Sequence, residues 1–252
     1  MSQLFTTILV QPLFNAMVFL YNVIPGNDLA LAIIALTVVI KVLLYPLTHQ
    51  TIKSQKAMQE LQPKIEEVKK KYKDDKEQQA RAMMALYKEN KVNPMSSCLP
   101  LLIQLPFLIA VYQVFASGLR SESLQLLYPF ISNPGHLNAV SLGFFDLSKP
   151  NLVLAGITAL AQFWQTKMLT TKNPPKEIQN KEGAKDEDMM AMMNKQMLYM
   201  MPVMTFVIGF TLPSGLVLYW FAMTILTVAQ QYIMFGFKKK KEVSNTNTSE
   251  IK

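Results

Sequence analysis

Leu29 to Leu47 reads LALAIIALTVVIKVLLYPL, a run of nineteen residues that is apolar almost throughout and carries a single cation, Lys41. At about 1.5 Å of rise per residue, a helix over this run is roughly 28 Å long, enough to cross a hydrocarbon layer of about 30 Å. A lysine in such a helix costs about 2.5–3.5 kcal/mol on insertion scales, so its ammonium calls for a polar partner or water. On this run alone two readings stay open. Lys41 either snorkels along its four-carbon stem to the nearer headgroups, or it marks a water-filled functional site.

The 252 residues could make one or two soluble domains, but further apolar runs place the chain in a membrane. These are 99–117, 151–169, 197–212 and 215–235, which with the first run give five expected crossings. None contains Asp or Glu. Eleven of the 25 Lys and Arg residues fall between Thr48 and Asn93, whereas residues 1–28 have none and 118–150 have only Arg120 and Lys149. Basic connections face the cytoplasm. The alternation therefore predicts an odd number of spans, with the N-terminus outside and the C-terminus cytoplasmic. The formal charge of +8 is read as a topology signal, and no DNA partner is expected. One cysteine, Cys98, rules out a disulfide framework, and two distant histidines without a second thiol predict no metal site and no cofactor.

The expected fold class is an all-α integral membrane protein. Residues 1–26 are apolar enough to cross, but read better as an amphipathic helix lying in the interface, because Thr7, Gln11, Asn15 and Asn22 fall on one helical face. Transmembrane helices follow at 27–49, 94–118, 151–169, 196–213 and 214–236. Between them lie a charged cytoplasmic helical hairpin at 50–93, an extracytoplasmic loop at 119–150 and a cytoplasmic loop at 170–195, with a basic cytoplasmic tail at 237–252. Asn27 or Asp28 should cap the first span, and Pro63 should break the first arm of the hairpin. Lys73-Asp74-Asp75 reads as the hairpin's tip. Thin apolar stripes (Ile65, Val68 and Tyr72 on one arm, Ala80, Met83 and Tyr87 on the other) bury little and predict a mobile arm, either a solvated charged hairpin or one that docks a partner or anionic lipid.

Polar residues inside the spans are the candidate site. Gln104 sits between Pro100 and Pro106, and prolines free carbonyls that need partners inside a membrane. Thr158, Gln162 and Gln165 share a helical face, either as interhelical hydrogen bonds or as a polar cavity wall. Met189 to Met204 holds eight of the seventeen methionines, side chains that fill gaps or accept varied apolar shapes. Tyr219 and Trp220 follow the turn Pro213-Ser214-Gly215, as an aromatic belt or as groove lining.

Four ordered motifs resemble the YidC family of membrane protein insertases, with its mitochondrial Oxa and chloroplast Albino relatives. They are Leu61-Gln62-Pro63-Lys64-Ile65, Met84-Ala85-Leu86-Tyr87-Lys88 before Val92-Asn93-Pro94, Cys98-Leu99-Pro100-Leu101-Leu102-Ile103-Gln104-Leu105-Pro106, and Leu212-Pro213-Ser214-Gly215-Leu216-Val217-Leu218-Tyr219-Trp220. The large periplasmic domain and added first helix of Gram-negative members have no counterpart here. The resemblance implies five helices around a hydrophilic groove that opens to cytoplasm and lipid and is closed outside. Lys41 occupies the position of the groove cation, where most members carry arginine, so a bidentate grip on carboxylates is lost. Thr37, Gln104, Gln162, Gln165, Tyr219 and Trp220 fall where the resemblance places groove-lining or substrate-contacting residues.

The function so implied is a bacterial inner (cytoplasmic) membrane insertase and chaperone, not an enzyme. Lys41 would draw the acidic outer segment of a nascent client into a wet groove that shortens the dry path across the bilayer. The partners implied are nascent membrane protein clients, the lipid bilayer, the ribosome, the signal recognition particle pathway and the Sec translocon. A small-solute transporter or channel is the rival, but no acidic residue faces Lys41 within any span. A membrane scaffold is the other, and it gives Lys41, Gln104 and Gln165 no reason to lie at membrane depth.

Overall fold

The computed structural model describes residues 3–93, 99–118, 126–169 and 185–249, with side chains in the last two helices described over 198–234. Cys98, Arg120, most of the 170–195 loop, the side chains of Met189–Met197 and those of Lys238–Lys241 lie outside what is described. In chain order the elements are α1 (Gln3–Phe5), a π-helical turn (Thr6–Val10), α2 (Gln11–Val23), α3 (Leu29–Leu43), α4 (Tyr45–Lys71), α5 (Lys76–Glu89), α6 (Leu99–Gly118), β1 (Val140–Ser141), β2 (Phe145–Asp146), α7 (Leu152–Leu169), α8 (Lys185–Thr211) and α9 (Ser214–Ser249). The chain is mostly helical, and its two short strands pair antiparallel within the 126–151 segment.

Among the described residues two stretches are long and apolar enough to cross a membrane, Gln3–Val23 and Ser214–Met234, each of 21 residues. The first absorbs Pro12, whose ring has no room beside the carbonyl four residues back, by widening into the π turn just before it. α3 and α4 make a third candidate if taken together, although they meet at 70°. Leu102–Phe115 and Leu198–Thr211 are shorter apolar helices. α7 does not qualify, because Thr158, Gln162, Gln165 and Lys167 dilute it. Among the described residues, helix length and apolarity thus pick out fewer crossings than the five expected.

The opening stretch, read as one helix over 27–49, is two helices. Asp28 caps α3, accepting from the Leu31 N–H at 3.1 Å. The helix stops at Leu44 because Pro46 cannot donate to the Val42 carbonyl. α3 is therefore only about 22 Å long, with Lys41 in its last turn.

α2, α3, α6 and α9 share one core, built from Phe14, Met17, Ile33, Ile40, Val111, Phe115 and Leu216. α7 packs against α8 and α9. There a Cβ added to Gly209 would stand 3.3 Å from Ala155 Cβ, so small residues let these backbones approach. α4 and α5 make a separate small cluster of Leu61, Ile65 and Tyr87. Pro63 does not break α4: it lies on the exposed face, where water can serve the freed carbonyl, and Leu61 and Ile65 on either side are held by Tyr87. Asp75 caps α5 by accepting from the Gln78 N–H at 2.9 Å.

The polar face of α2 is covered by the 126–138 segment. Asn15, 2% exposed, donates to the Leu126 carbonyl at 2.9 Å and accepts from the Tyr128 N–H at 2.6 Å. Gln11 donates to Leu126 and Asn22 to Ser132. The Tyr21 hydroxyl accepts from the Asn138 N–H at 3.2 Å. Further along, Asp28 receives both the Ser141 hydroxyl and the Leu142 N–H, and Ser214 and Gly215 donate to the carbonyls of Lys149 and Leu147.

Candidate functional site

Lys41 turns inward. It is 8% exposed, and its Nζ donates to Thr227 Oγ1 of α9 at 2.8 Å. The Thr227 hydroxyl proton is committed to the Met223 carbonyl at 2.7 Å, so the oxygen offers Lys41 only lone pairs. No carboxylate among the described residues lies within ion-pair distance of Lys41. Of the ammonium's three donors, one meets a partner among the described residues.

Thr227 belongs to a longer seam. On α9, Tyr219, Met223, Thr227 and Gln230 follow one another at helical spacing and face α3 and α6. Tyr219 is fully buried, and its hydroxyl accepts from Gln104 Nε2 of α6 at 3.1 Å. Gln230, 7% exposed, approaches Thr48 Oγ1 at 3.4 Å, just beyond the α3–α4 bend. From Tyr219 to Gln230 the seam spans about 16 Å, with the Lys41–Thr227 pair nearer its Gln230 end. Gln231, 1% exposed, has a side-chain oxygen with no hydrogen-bond partner among the described residues.

The remaining expected residues are placed differently. Thr37 is one turn before Lys41 and wholly buried, but its hydroxyl donates to the Ile33 carbonyl at 2.7 Å, as an ordinary helix threonine does. Gln162 and Gln165 are half-buried on α7, whose main partners are α8 and α9, and neither takes part in a side-chain hydrogen bond among the described residues. Trp220 is half-buried, about 100° round the helix from Tyr219 and so turned away from the seam. Tyr219 itself is no surface aromatic: it is closed in by α6, which removes it from an interfacial belt.

The family model for the 60Kd inner membrane protein matches residues 19–242. The chain belongs to this family. It is 34% identical over 208 residues to the membrane protein insertase YidC of Fusobacterium nucleatum, covering 82% of this chain and 86% of that one. It is 37% identical over 227 residues to the membrane protein insertase YidC of Pelobacter propionicus, covering 89% of this chain but only 38% of that protein. The chain thus spans well under half the length of several relatives it matches. Among solved structures it is similar to an active YidC insertase crystal structure with the first transmembrane domain resolved. There the TM-score is 0.59 and the identity 27%, over 92% of this chain and 47% of that one.

Sequence reasoning missed Thr227, Gln230, Gln231 and Thr48. A signal was present: Thr227 and Gln230 repeat at helical spacing after Tyr219 within an apolar run, as Thr158, Gln162 and Gln165 do on α7. The aromatic pair at 219–220 drew attention to the start of α9 and away from its polar second half.

Proposed function

We propose that the chain is a membrane protein insertase of the bacterial inner membrane, acting without bond chemistry. The observation that carries this reading is Lys41, a nearly covered ammonium between two membrane helices whose one partner among the described residues is a neutral hydroxyl. A charge so placed is costly unless it serves a ligand. The names of the relatives supply the class of ligand, a membrane protein.

In this reading α3, α6, α7, α8 and α9 supply the five crossings, with α3 kinked at Leu44. The Gln104–Tyr219, Lys41–Thr227 and Thr48–Gln230 contacts line a polar path, and Gln162, Gln165 and Trp220 form its second wall. The acidic outer segment of a client pauses at Lys41 while its apolar helix partitions into lipid beside the bundle. One cation with a threonine partner binds weakly enough to release. The Gln3–Val23 helix lies in the interface; what supports this is the 126–138 segment bonded along it from Gln11 to Asn22, since such irregular backbone is not tolerated in hydrocarbon. The α4–α5 arms and the basic tail face the cytoplasm and receive clients from the ribosome, the signal recognition particle or Sec.

The test is insertion into reconstituted vesicles. Lys41→Arg should insert a client with an acidic outer segment at the normal rate. Lys41→Ala should slow that client by about tenfold, or ~1.4 kcal/mol, while sparing a client with a neutral outer segment. Equal rates for Lys41→Ala and the unaltered chain on the acidic client would refute the attraction.

A further inference from the structure

The segment between α6 and α7 exposes apolar side chains that the insertion reading does not use. Leu142 is 68% exposed and Phe144 80%, on either side of Gly143 in the three-residue connection between β1 and β2. Phe145, next in line, turns the other way and packs on the core. Leu142 also stands at φ +53°, in the left-handed region that Gly or Asn enters far more readily. A large apolar residue held there and left bare needs a reason outside the fold.

The height of this turn is set by one residue. The Leu142 N–H donates to Asp28 Oδ2 at 2.9 Å, and the Ser141 hydroxyl reaches both oxygens at 2.5 and 2.7 Å. Asp28 is also the cap of α3. The turn is therefore pinned to the first turn of the helix that carries the Lys41 run. The exposed apolar stripe of α3 starts at the same level with Leu31 (45%) and continues through Ile34 and Val38. The base of the strand pair is charged instead: Lys149 Nζ meets Asp146 Oδ2 at 2.9 Å. An apolar tip over a charged base, at the level where a membrane helix begins, is the profile of an interfacial anchor.

We propose that the β1–β2 turn is a lipid foot, with Leu142 and Phe144 inserted into the bilayer interface beside the start of α3. The occupant is lipid because the pinning to Asp28 makes the turn continuous with α3's own lipid-facing stripe. The inference rests on the membrane reading of α3. Its role is to keep the 126–149 segment seated over the bundle while clients pass.

Site-specific fluorescence in vesicles tests it on the full chain carrying Cys98→Ser. An environment-sensitive dye is attached at Leu142→Cys, Phe144→Cys, His136→Cys or Val38→Cys, and vesicles contain lipids brominated near the headgroup or deep in the acyl chains. The foot predicts blue-shifted emission at 142 and 144, quenched most by the shallow bromines. Val38→Cys should be quenched most by the deep ones, and His136→Cys, on the exposed polar part of the same loop, should be water-like. If 142 and 144 match 136 while 38 is quenched, the foot is wrong and the membrane reading of α3 stands. If 38 is also unquenched, both fall. A blue shift at 142 and 144 that appears only on adding a client chain would overturn the foot in favour of a protein-docking surface.

Discussion

α3 carries one charge at each end, and the two are held in opposite ways. Asp28 accepts hydrogen bonds from Leu31, Ser141 and Leu142, a nearly full complement for a carboxylate. Burial pushes its pKa up, but the bonds from Ser141, Leu142, Leu31 and Ala30 outweigh that and hold it below the usual carboxylate range. Lys41 makes a single bond to a neutral hydroxyl, in a site that is almost covered. A saturated charge ties elements together, whereas an under-satisfied one in a low dielectric retains energy that a ligand can release. The acid is architecture, and in the proposed function the base is the site.

Removing each charge should separate the two roles. Asp28→Ala deletes the α3 cap and the latch on β1 together and should cost about 2 kcal/mol, read as a lower midpoint of thermal unfolding in detergent. The latch has a pH signature as well. A carboxyl whose folded pKa is depressed contributes stability in full above its unfolded value, and that stability is lost as pH falls through the folded value. Protection of the 139–147 amides from hydrogen exchange should therefore hold down to about pH 4 and fail below it, and Asp28→Asn should weaken that dependence, leaving the part that Asp146 contributes through its bonds to Ser148 and Lys149.

Lys41→Met should act in the other direction on stability. It removes a covered charge of similar length and should stabilise the bundle by about 1 kcal/mol while slowing acidic clients. A drop in thermal midpoint with normal insertion would exchange the roles assigned to the two ends. The smallest effect belongs to Thr227→Val, which leaves Lys41 with no partner and should change acidic-client insertion by about threefold, or ~0.6 kcal/mol. Thr227→Ser should restore the rate, a rescue that a packing defect would not show.

Much of the fold was legible because its signals are local. Apolar runs marked helices, Pro213-Ser214-Gly215 marked a turn, and Asp28 was one of the two caps expected for the helix that carries Lys41. Pro46 was equally visible, but the continuous apolarity around it hid the 70° bend. Pro63 misled in the opposite sense, because packing by Tyr87 across the α4–α5 pair overrides a local breaker. Gln11, Asn15 and Asn22, read with Thr7 as one polar face, bond to the backbone of a distant segment that no local pattern pointed to.

Within the site the division is sharper. That Lys41 lies in an apolar helix needing polar company follows from composition and the cost of charge in hydrocarbon, and no coordinates are required for it. Which group keeps that company does not follow, because Thr227 is 186 residues away and its neighbour is chosen by how α3 packs on α9. The same holds for Tyr219, whose burial against Gln104 depends on α6, and for Asp28, whose extra bonds come from a strand more than a hundred residues on. Helical periodicity repeats every few residues and can be read along the chain. The pairing of one helix face with another is a property of the closed bundle, since any polar face could satisfy a lone ammonium until packing selects one.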